Sequence, residues 1–411
     1  MVIIQPFRAV RPVKDKVAHV VTKSYETYSK SMLESVLRSN PFSFLHIINP
    51  GFASPEKIRG KARFKMVRAQ YQKFLKEEVL TKDMRNSFYV YKIKKNDYSC
   101  CGLLCATSTE DYRNNVIRKH EDTIHRREEL FAKYLGTVKF NAEPVLMTYE
   151  DDPETSAILK TTLSKDPEYQ FTSPDNSRHR LWKISEAPTI LRLQKAFKNK
   201  NALSIADGHH RSASSNLWAK MAKEKNPEHN GTESYNYFMS YLIPESEIRI
   251  YEFNRLIKDL KGLSKEEFLA KLSNFFLVEK RKEPLYRPSE KHHFSMYLDG
   301  EFYALYLRQK VYTFTDALSK LDTQILFKTI LGPILGITDL KTDQRIRYGY
   351  GKDNVMRMKH EIDTGNFAVG FGLVPITIDE IKDIADAGLV MPPKSTYIAP
   401  KLKSGLVIYE L

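Results

Sequence analysis

The chain has 411 residues, 42% hydrophobic and 28% charged, the composition of a globular protein with room for two or three domains. Lys and Arg outnumber Asp and Glu by 65 to 50, a net charge of +15 that favours anionic partners. No apolar run reaches about 18 residues, which excludes a membrane-spanning helix.

The opening "MVIIQPFRAVRPVKDK" has no apolar signal core ending in small residues, which argues against secretion. "PFSFLHIINP" (41–50) reads as a buried strand bounded by prolines. "EKIRGKARFKMVRAQYQKFLKEEVL" (56–80) spaces its apolar residues three and four apart and predicts an amphipathic helix. "SFYVYKIKKNDYSCCGLLCATS" (87–108) predicts a hairpin turning at Asn96-Asp97. Its Cys100, Cys101 and Cys105 are an odd, clustered set without partners elsewhere. They form neither a disulfide framework nor a four-ligand zinc site, and they read as free thiols of a cytoplasmic protein.

"YRNNVIRKHEDTIHRREELFAKYL" (112–135) is a polar turn leading into a helix, and "AEPVLMTYE" (142–150) is a strand. "NALSIADGHHRSASSNLWAKMAKEK" (201–225) predicts a strand, a tight glycine turn and a helix. "YNYFMSYLI" and "EIRIYEFNRLI" are strands around a turn at Pro244-Glu245. Ser264 and Glu267 form a capping-box signature before a helix. Asp299-Gly300 between alternating runs is the strongest hairpin signal in the chain. Helices and strands then alternate irregularly to the C-terminal "MPPKSTYIAPKLKSGLVIYEL". The pattern predicts an α+β fold with a mixed sheet.

Three polar clusters stand out. In "ADGHHR", Gly208 permits a tight turn that leaves the amides of His209, His210 and Arg211 at a helix N-terminus, an anion-binding geometry. Arg211 adds a fork of donors for phosphate oxygens, and Asp207 is placed to hold a metal ion. A plain cap with surface histidines and a two-histidine metal site are the alternatives. Adjacent helical residues point about 100° apart, which counts against the second. In "KHEDTIHRRE" (119–128), Glu121 stands among Lys119, His120, Arg126 and Arg127. A carboxylate among cations stays ionised and can accept a hydroxyl proton, although a solvated helix start has the same composition. In "PPKSTYIAPKLKSG" (392–405), Lys394, Ser395 and Thr396 can hold a carboxylate or phosphate; a surface loop is the alternative.

Taken together from Tyr112 to Leu411, these clusters resemble the free serine kinases of the ParB/sulfiredoxin-like superfamily, which phosphorylate L-serine to O-phosphoserine. The whole chain, including "NPFSFLHI", is similar to a longer family of unknown function, some of whose members are thought to use pyrophosphate in place of a nucleotide. The resemblance implies Glu121 as general base, Asp207 as catalytic carboxylate near magnesium, and Gly208, His209, His210 and Arg211 as the donor-phosphate loop. Lys119, His120, Arg126 and Arg127 would assist that loop. Lys394, Ser395 and Thr396, with Thr137 in the turn after the Glu121 helix, would face the substrate.

It also implies an N-terminal α/β extension (1–110), a catalytic core (111–235), a C-terminal α/β domain (236–411) completing the substrate site, and a role in serine metabolism and cysteine biosynthesis. Pyrophosphate is the expected donor, with ATP or ADP as the alternative and Mg2+ as cofactor. Arg178, Arg180, Arg345 and Arg347 are further basic residues for a pyrophosphate pocket. The sulfiredoxin cysteine is replaced by His209, and no helix-turn-helix of a ParB protein is evident. With the dispersed charge, this argues against a nucleic-acid-binding module, which stays as a rival reading, as does a serine-sensing protein.

Overall fold

A computed structural model describes residues 1–52, 58–95, 98–350 and 354–411. These divide into two compact units, Met1–Ile248 with Pro400–Leu411, and Arg249–Ala399.

The first unit is built on a mixed 9-stranded sheet. Its path runs Ile117–Arg118, Leu203–Asp207, Val145–Tyr149, Tyr237–Pro244, Tyr98–Ser108, Phe88–Lys95, Arg178–Ile184 and Tyr169–Thr172, and Ile4–Gln5 also pairs with Tyr98–Ser108. Two neighbour pairs are parallel, Leu203–Asp207 with Ile117–Arg118 and Tyr237–Pro244 with Val145–Tyr149; the others are antiparallel. Strands from both sides of residue 110 thus lie side by side in one sheet. The C-terminal segment returns to this unit through Tyr409–Glu410, paired with Phe140–Asn141.

Phe88–Lys95 and Tyr98–Ser108 pair as the predicted hairpin, down to Lys95 opposite Tyr98; the Asn96-Asp97 turn lies outside the described residues. All three cysteines are buried free thiols, and burial pushes each up to about 12, so they are poor nucleophiles. The helix expected over 56–80 spans Gly60–Lys76 and buries Val67, Tyr71 and Phe74, one stripe at helical spacing; residues 56–57 lie outside the described residues.

The strand expected at 41–50 is a correction. Its apolar residues form a short helix, Leu45–Ile48, with Leu45 and Ile47 buried. An apolar run this short does not separate strand from helix by itself. Here Asn40 Oδ1 accepts the Phe42 N–H and Ser43 Oγ the Leu45 N–H, which closes the backbone into a turn.

The second unit carries a 6-stranded antiparallel sheet ordered Phe276–Arg281, Glu301–Leu307, His293–Leu298, Val369–Gly372, Phe253–Ile257 and Ile346–Tyr350. The Asp299-Gly300 hairpin forms as expected, with positive φ of 49° and 78° at its two turn residues. The Ser264–Glu267 capping box is present on the helix Lys265–Leu272. Among the described residues, no helix is long and apolar enough to cross a membrane.

Two predictions follow from the packing. A Cβ at Gly102 would lie 2.4 Å from the Leu242 carbonyl oxygen, on the neighbouring strand. Gly102→Ala is therefore expected to lower stability by about 1–3 kcal/mol in urea unfolding, because backbone in mid-sheet cannot move aside. In the second unit Asp322 is 1% exposed; its Oδ1 accepts the His292 N–H at 2.8 Å and its Oδ2 has no hydrogen-bond partner among the described residues. Burial pushes this carboxyl up to about 7, against the pull of the His292 N–H and Lys291. Its folded pKa exceeds the unfolded value of about 3.9, so the native state keeps a proton that the unfolded chain releases. The Asp322 contribution to stability is therefore full below about pH 4 and is lost as pH rises to 7. Asp322→Asn should flatten this part of the pH dependence, measured as the difference in urea midpoint between variant and parent at pH 5 and pH 8.

Candidate functional site

The strand Leu203–Asp207 is buried except at Asp207. Gly208 follows at φ 109°, a conformation that glycine alone adopts without strain, and serves as N-cap of the helix His209–Glu224. That helix turns Ser212, Ala213, Ser214, Ser215, Ala219 and Ala222 inward, small residues that let its axis lie close to its neighbours. The Ser212 and Ser214 hydroxyls donate back to the carbonyls of His209 and His210, so their burial leaves no donor unpaired.

Ile117–Arg118 runs parallel to this strand, with Leu203 opposite Ile117 and Ser204 opposite Arg118. Residues 119–121 leave the sheet at the same end as the Gly208 turn. Glu121 and His209 meet there: Glu121 Oε2 lies 3.5 Å from His209 Nδ1, while the His120 N–H faces His209 Nε2 at 3.5 Å. The His120 and His209 rings stand edge to face, centroids 4.4 Å apart. Thr123 donates to Glu128, and His125 pairs with Glu129 at 3.2 Å, which anchors the start of the helix His125–Val138 just beyond.

The electrostatics divide sharply. Burial pushes His120 down to about 4. Burial, with His120, His210, Arg211 and Lys119 nearby, holds His209 well below its usual value, so both rings are neutral at pH 7. For Asp207, burial acts to raise the pKa, but Arg211, Lys401 and the Gly208 N–H outweigh it and keep the carboxyl below its usual range. Lys401 Nζ lies 3.2 Å and Arg211 Nη2 3.6 Å from Asp207 Oδ2. Arg211 also donates to the Pro144 carbonyl and lies 3.7 Å from Glu143. The result is an ionised carboxylate beside an open helix N-terminus, backed by two neutral imidazoles and faced by a half-exposed carboxylate, Glu121. Such a site can bind an anion through backbone amides and move a proton through a carboxylate.

The expected residues sort unevenly. Lys119, His120, Glu121, Asp207, Gly208, His209, His210 and Arg211 come to one end of the sheet. Lys119 packs 4.4 Å over the Tyr112 ring and is lowered by burial. Arg126 and Arg127 are exposed on the first turn of the helix His125–Val138. Thr137 is a correction: it lies inside the last turn of that helix, where its hydroxyl donates to the Lys133 carbonyl at 3.0 Å. Its neighbour Gly136 packs on Trp218, about 13 Å along the second helix from His209 at 1.5 Å per residue. The helix therefore carries Thr137 away from the Gly208 turn.

Arg178 and Arg180 sit five strands from Leu203–Asp207, on the order of 24 Å at normal strand spacing. Arg345 and Arg347 belong to the second unit, paired with Asp343 and Glu361. The first unit thus does not gather the four further arginines into a pyrophosphate pocket.

Lys394, Ser395 and Thr396 also lie in the second unit. There Lys394 is exposed, with φ 57° and its carbonyl accepting from Arg255, and Ser395 is buried and hydrogen-bonded to Pro392 and Thr323. Sequence reasoning missed Lys401 and Glu143. Lys401 sits in the quoted "PPKSTYIAPKLKSG", so a signal existed; for Glu143 there was none. A groove of about 500 Å³ bordered by Glu150, Asp151, Asp152 and Glu154 lies at the far end of the strand Val145–Tyr149 from Asp207. Arg192, Lys195 and Lys200 line it too, with Arg192 paired to Glu154 and Lys200 to Asp152.

Fold and site together define a mixed α+β protein with an anion-ready strand–turn–helix. The chain belongs to the family described as "Protein of unknown function (DUF1015)", whose model matches residues 4–324. No curated protein matches the chain. Among solved structures it is similar to a free serine kinase in complex with AMP, at 13% identity over 74% of this chain and 91% of that one, with a TM-score of 0.34. It is similar to a mutant free serine kinase in complex with ADP, at 14% identity over 76% and 93%, with a TM-score of 0.35. It is also similar to SbnI with C-terminal truncation from Staphylococcus aureus, at 12% identity over 74% and 87%, with a TM-score of 0.36.

The turn itself is testable. A Cβ at Gly208 would sit 3.1 Å from the Arg211 guanidinium, in a backbone conformation that L-residues rarely adopt. Gly208→Ala should lose more than about 1 kcal/mol in urea unfolding, beyond the usual gain from replacing glycine.

Proposed function

We propose that the protein is a phosphotransferase that phosphorylates the hydroxyl of free L-serine, with pyrophosphate as donor. The observation that carries the reading is the placement of Glu121 beside the Gly208 turn, opposite an Asp207 held ionised by Lys401 and Arg211. The colinear likeness of "KHE" and "ADGHHR" to the free serine kinases supports the same roles.

Phosphoryl transfer asks a protein for positioning and charge neutralisation. The amides after Gly208 and the Arg211 guanidinium receive the donor phosphates. Glu121 accepts the proton of the serine hydroxyl as its oxygen attacks phosphorus, and phosphate leaves from pyrophosphate. Magnesium is a hard cation that favours carboxylate and phosphate oxygens, and Asp207 is the carboxylate that would hold it beside the donor. Such an ion supplies charge neutralisation on the phosphate oxygens. Lys401 and Arg211 already neutralise Asp207 on one side, which leaves the remaining carboxylate lone pairs for that purpose. Lys394, Ser395 and Thr396 are assigned to the substrate by resemblance alone. A nucleotide, ATP or ADP, is the competing donor.

The assay is O-phosphoserine formation from L-serine with pyrophosphate, ATP and ADP in parallel, followed by phosphorus NMR. Turnover with pyrophosphate is expected. Turnover with a nucleotide alone would move the donor assignment, and no product with any donor would end the reading. Glu121→Gln should lower kcat by about a hundred- to ten-thousand-fold. Asp207→Asn should lower it comparably, with the fold retained by circular dichroism in both variants.

A further inference from the structure

His120, Glu121 and His209 each offer a ligand atom, and these atoms all lie within 4.8 Å of one another. His120 is the telling member. It is 1% exposed, and neither of its ring nitrogens has a hydrogen-bond partner among the described residues. A buried polar group without a partner calls for an explanation, and a bound ion is a recognised one. The His120 ring meets the His209 ring edge to face at 4.4 Å, so the unpaired nitrogen group is packed against a second imidazole. Glu121, with its side chain 44% exposed, stands on the solvent side of the pair.

We propose that His120, Glu121 and His209 form a binding site for a borderline divalent transition-metal ion of the zinc or cobalt(II) kind. Two imidazoles and one carboxylate are a donor set that such ions accept in sites with an open fourth position, whereas magnesium favours oxygen ligands. Ligand atoms about 2.0–2.1 Å from a tetrahedral ion stand roughly 3.4 Å apart, so the group closes slightly on binding, with Glu121 Oε2 already 3.5 Å from His209 Nδ1. The two rings are held by different segments, His120 after the strand Ile117–Arg118 and His209 at the first turn of its helix. The parallel pairing of Ile117–Arg118 with Leu203–Asp207 keeps them together without the ion.

The consequence for activity rests on the serine-phosphorylation reading. A metal-bound Glu121 has given up the lone pair it needs as base, so a zinc-loaded protein phosphorylates serine more slowly than a zinc-free, magnesium-supplied one.

The test uses the full chain stripped with a chelator. Cobalt(II) is titrated in and followed by visible absorbance, and zinc(II) by calorimetry, both with no serine or phosphate donor present. One equivalent of each is expected to bind, in the presence of excess magnesium. Glu121→Gln, which alters an exposed side chain and spares the core, should weaken binding at least tenfold, as should His120→Ala and His209→Ala. His125→Ala, at a 78% exposed side chain, should leave it unchanged. Absence of a stoichiometric cobalt(II) signal, or equal affinity in Glu121→Gln and the parent, would overturn the site. Because binding is read without substrates, a protein that binds cobalt(II) yet phosphorylates no serine would count against the kinase reading alone.

Discussion

The site depends on one short contact, the parallel pairing of Ile117–Arg118 with the strand Leu203–Asp207. Two residue pairs align the chain so that 119–121 and 207–209 emerge at one sheet end, although 86 residues separate them in sequence. Antiparallel pairing with Val145–Tyr149 supports the other side of the strand and brings Pro144 and Glu143 to Arg211. Parallel strands need a long crossover, and the intervening segment supplies helices and strands of the same sheet. Asp207 and Gly208 thus stand at a strand end and a helix start, and His120 and Glu121 lie on the connection just after Ile117–Arg118.

Charge is then distributed by burial. The imidazoles of His120 and His209 are enclosed and stay neutral, while Asp207 is reached by two cations and stays ionised. A helix N-terminus with neutral groups behind it keeps its partial positive charge available to an anion. Had both histidines been protonated, they would have repelled each other and the Arg211 guanidinium. The same enclosure leaves neutral ring nitrogens beside a carboxylate.

Much of this was legible before folding. The strand–glycine–helix of residues 201–225 is written in the apolar run "LSIA", the Gly208 turn and the small-residue helix, all local signals. The Ser264–Glu267 cap and the Asp299-Gly300 hairpin are likewise local chemistry. Errors arose where local signals were ambiguous. "FSFLHII" has no period long enough to separate a strand from a helical turn, and the polar side chains of Asn40 and Ser43 tipped it. Thr137 was misplaced because the helix runs on to Val138, past the turn that resemblance suggested.

The sequence by itself determined the α+β class, the tight Gly208 turn and the residue types at the site, because these follow from periodicity, backbone freedom and side-chain chemistry within a few residues. Only the tertiary structure decided which of those residues meet. It turned His209 inward onto His120 and left His210 half-buried, so the adjacent histidines that look like a pair in sequence are not the pair that forms. It brought Lys401 from the C-terminal segment to Asp207 and set Arg178 and Arg180 at the other side of the sheet. The physical reason is that strand order and register are set by long-range pairing and burial, and no stretch of chain carries the address of a partner so many residues away.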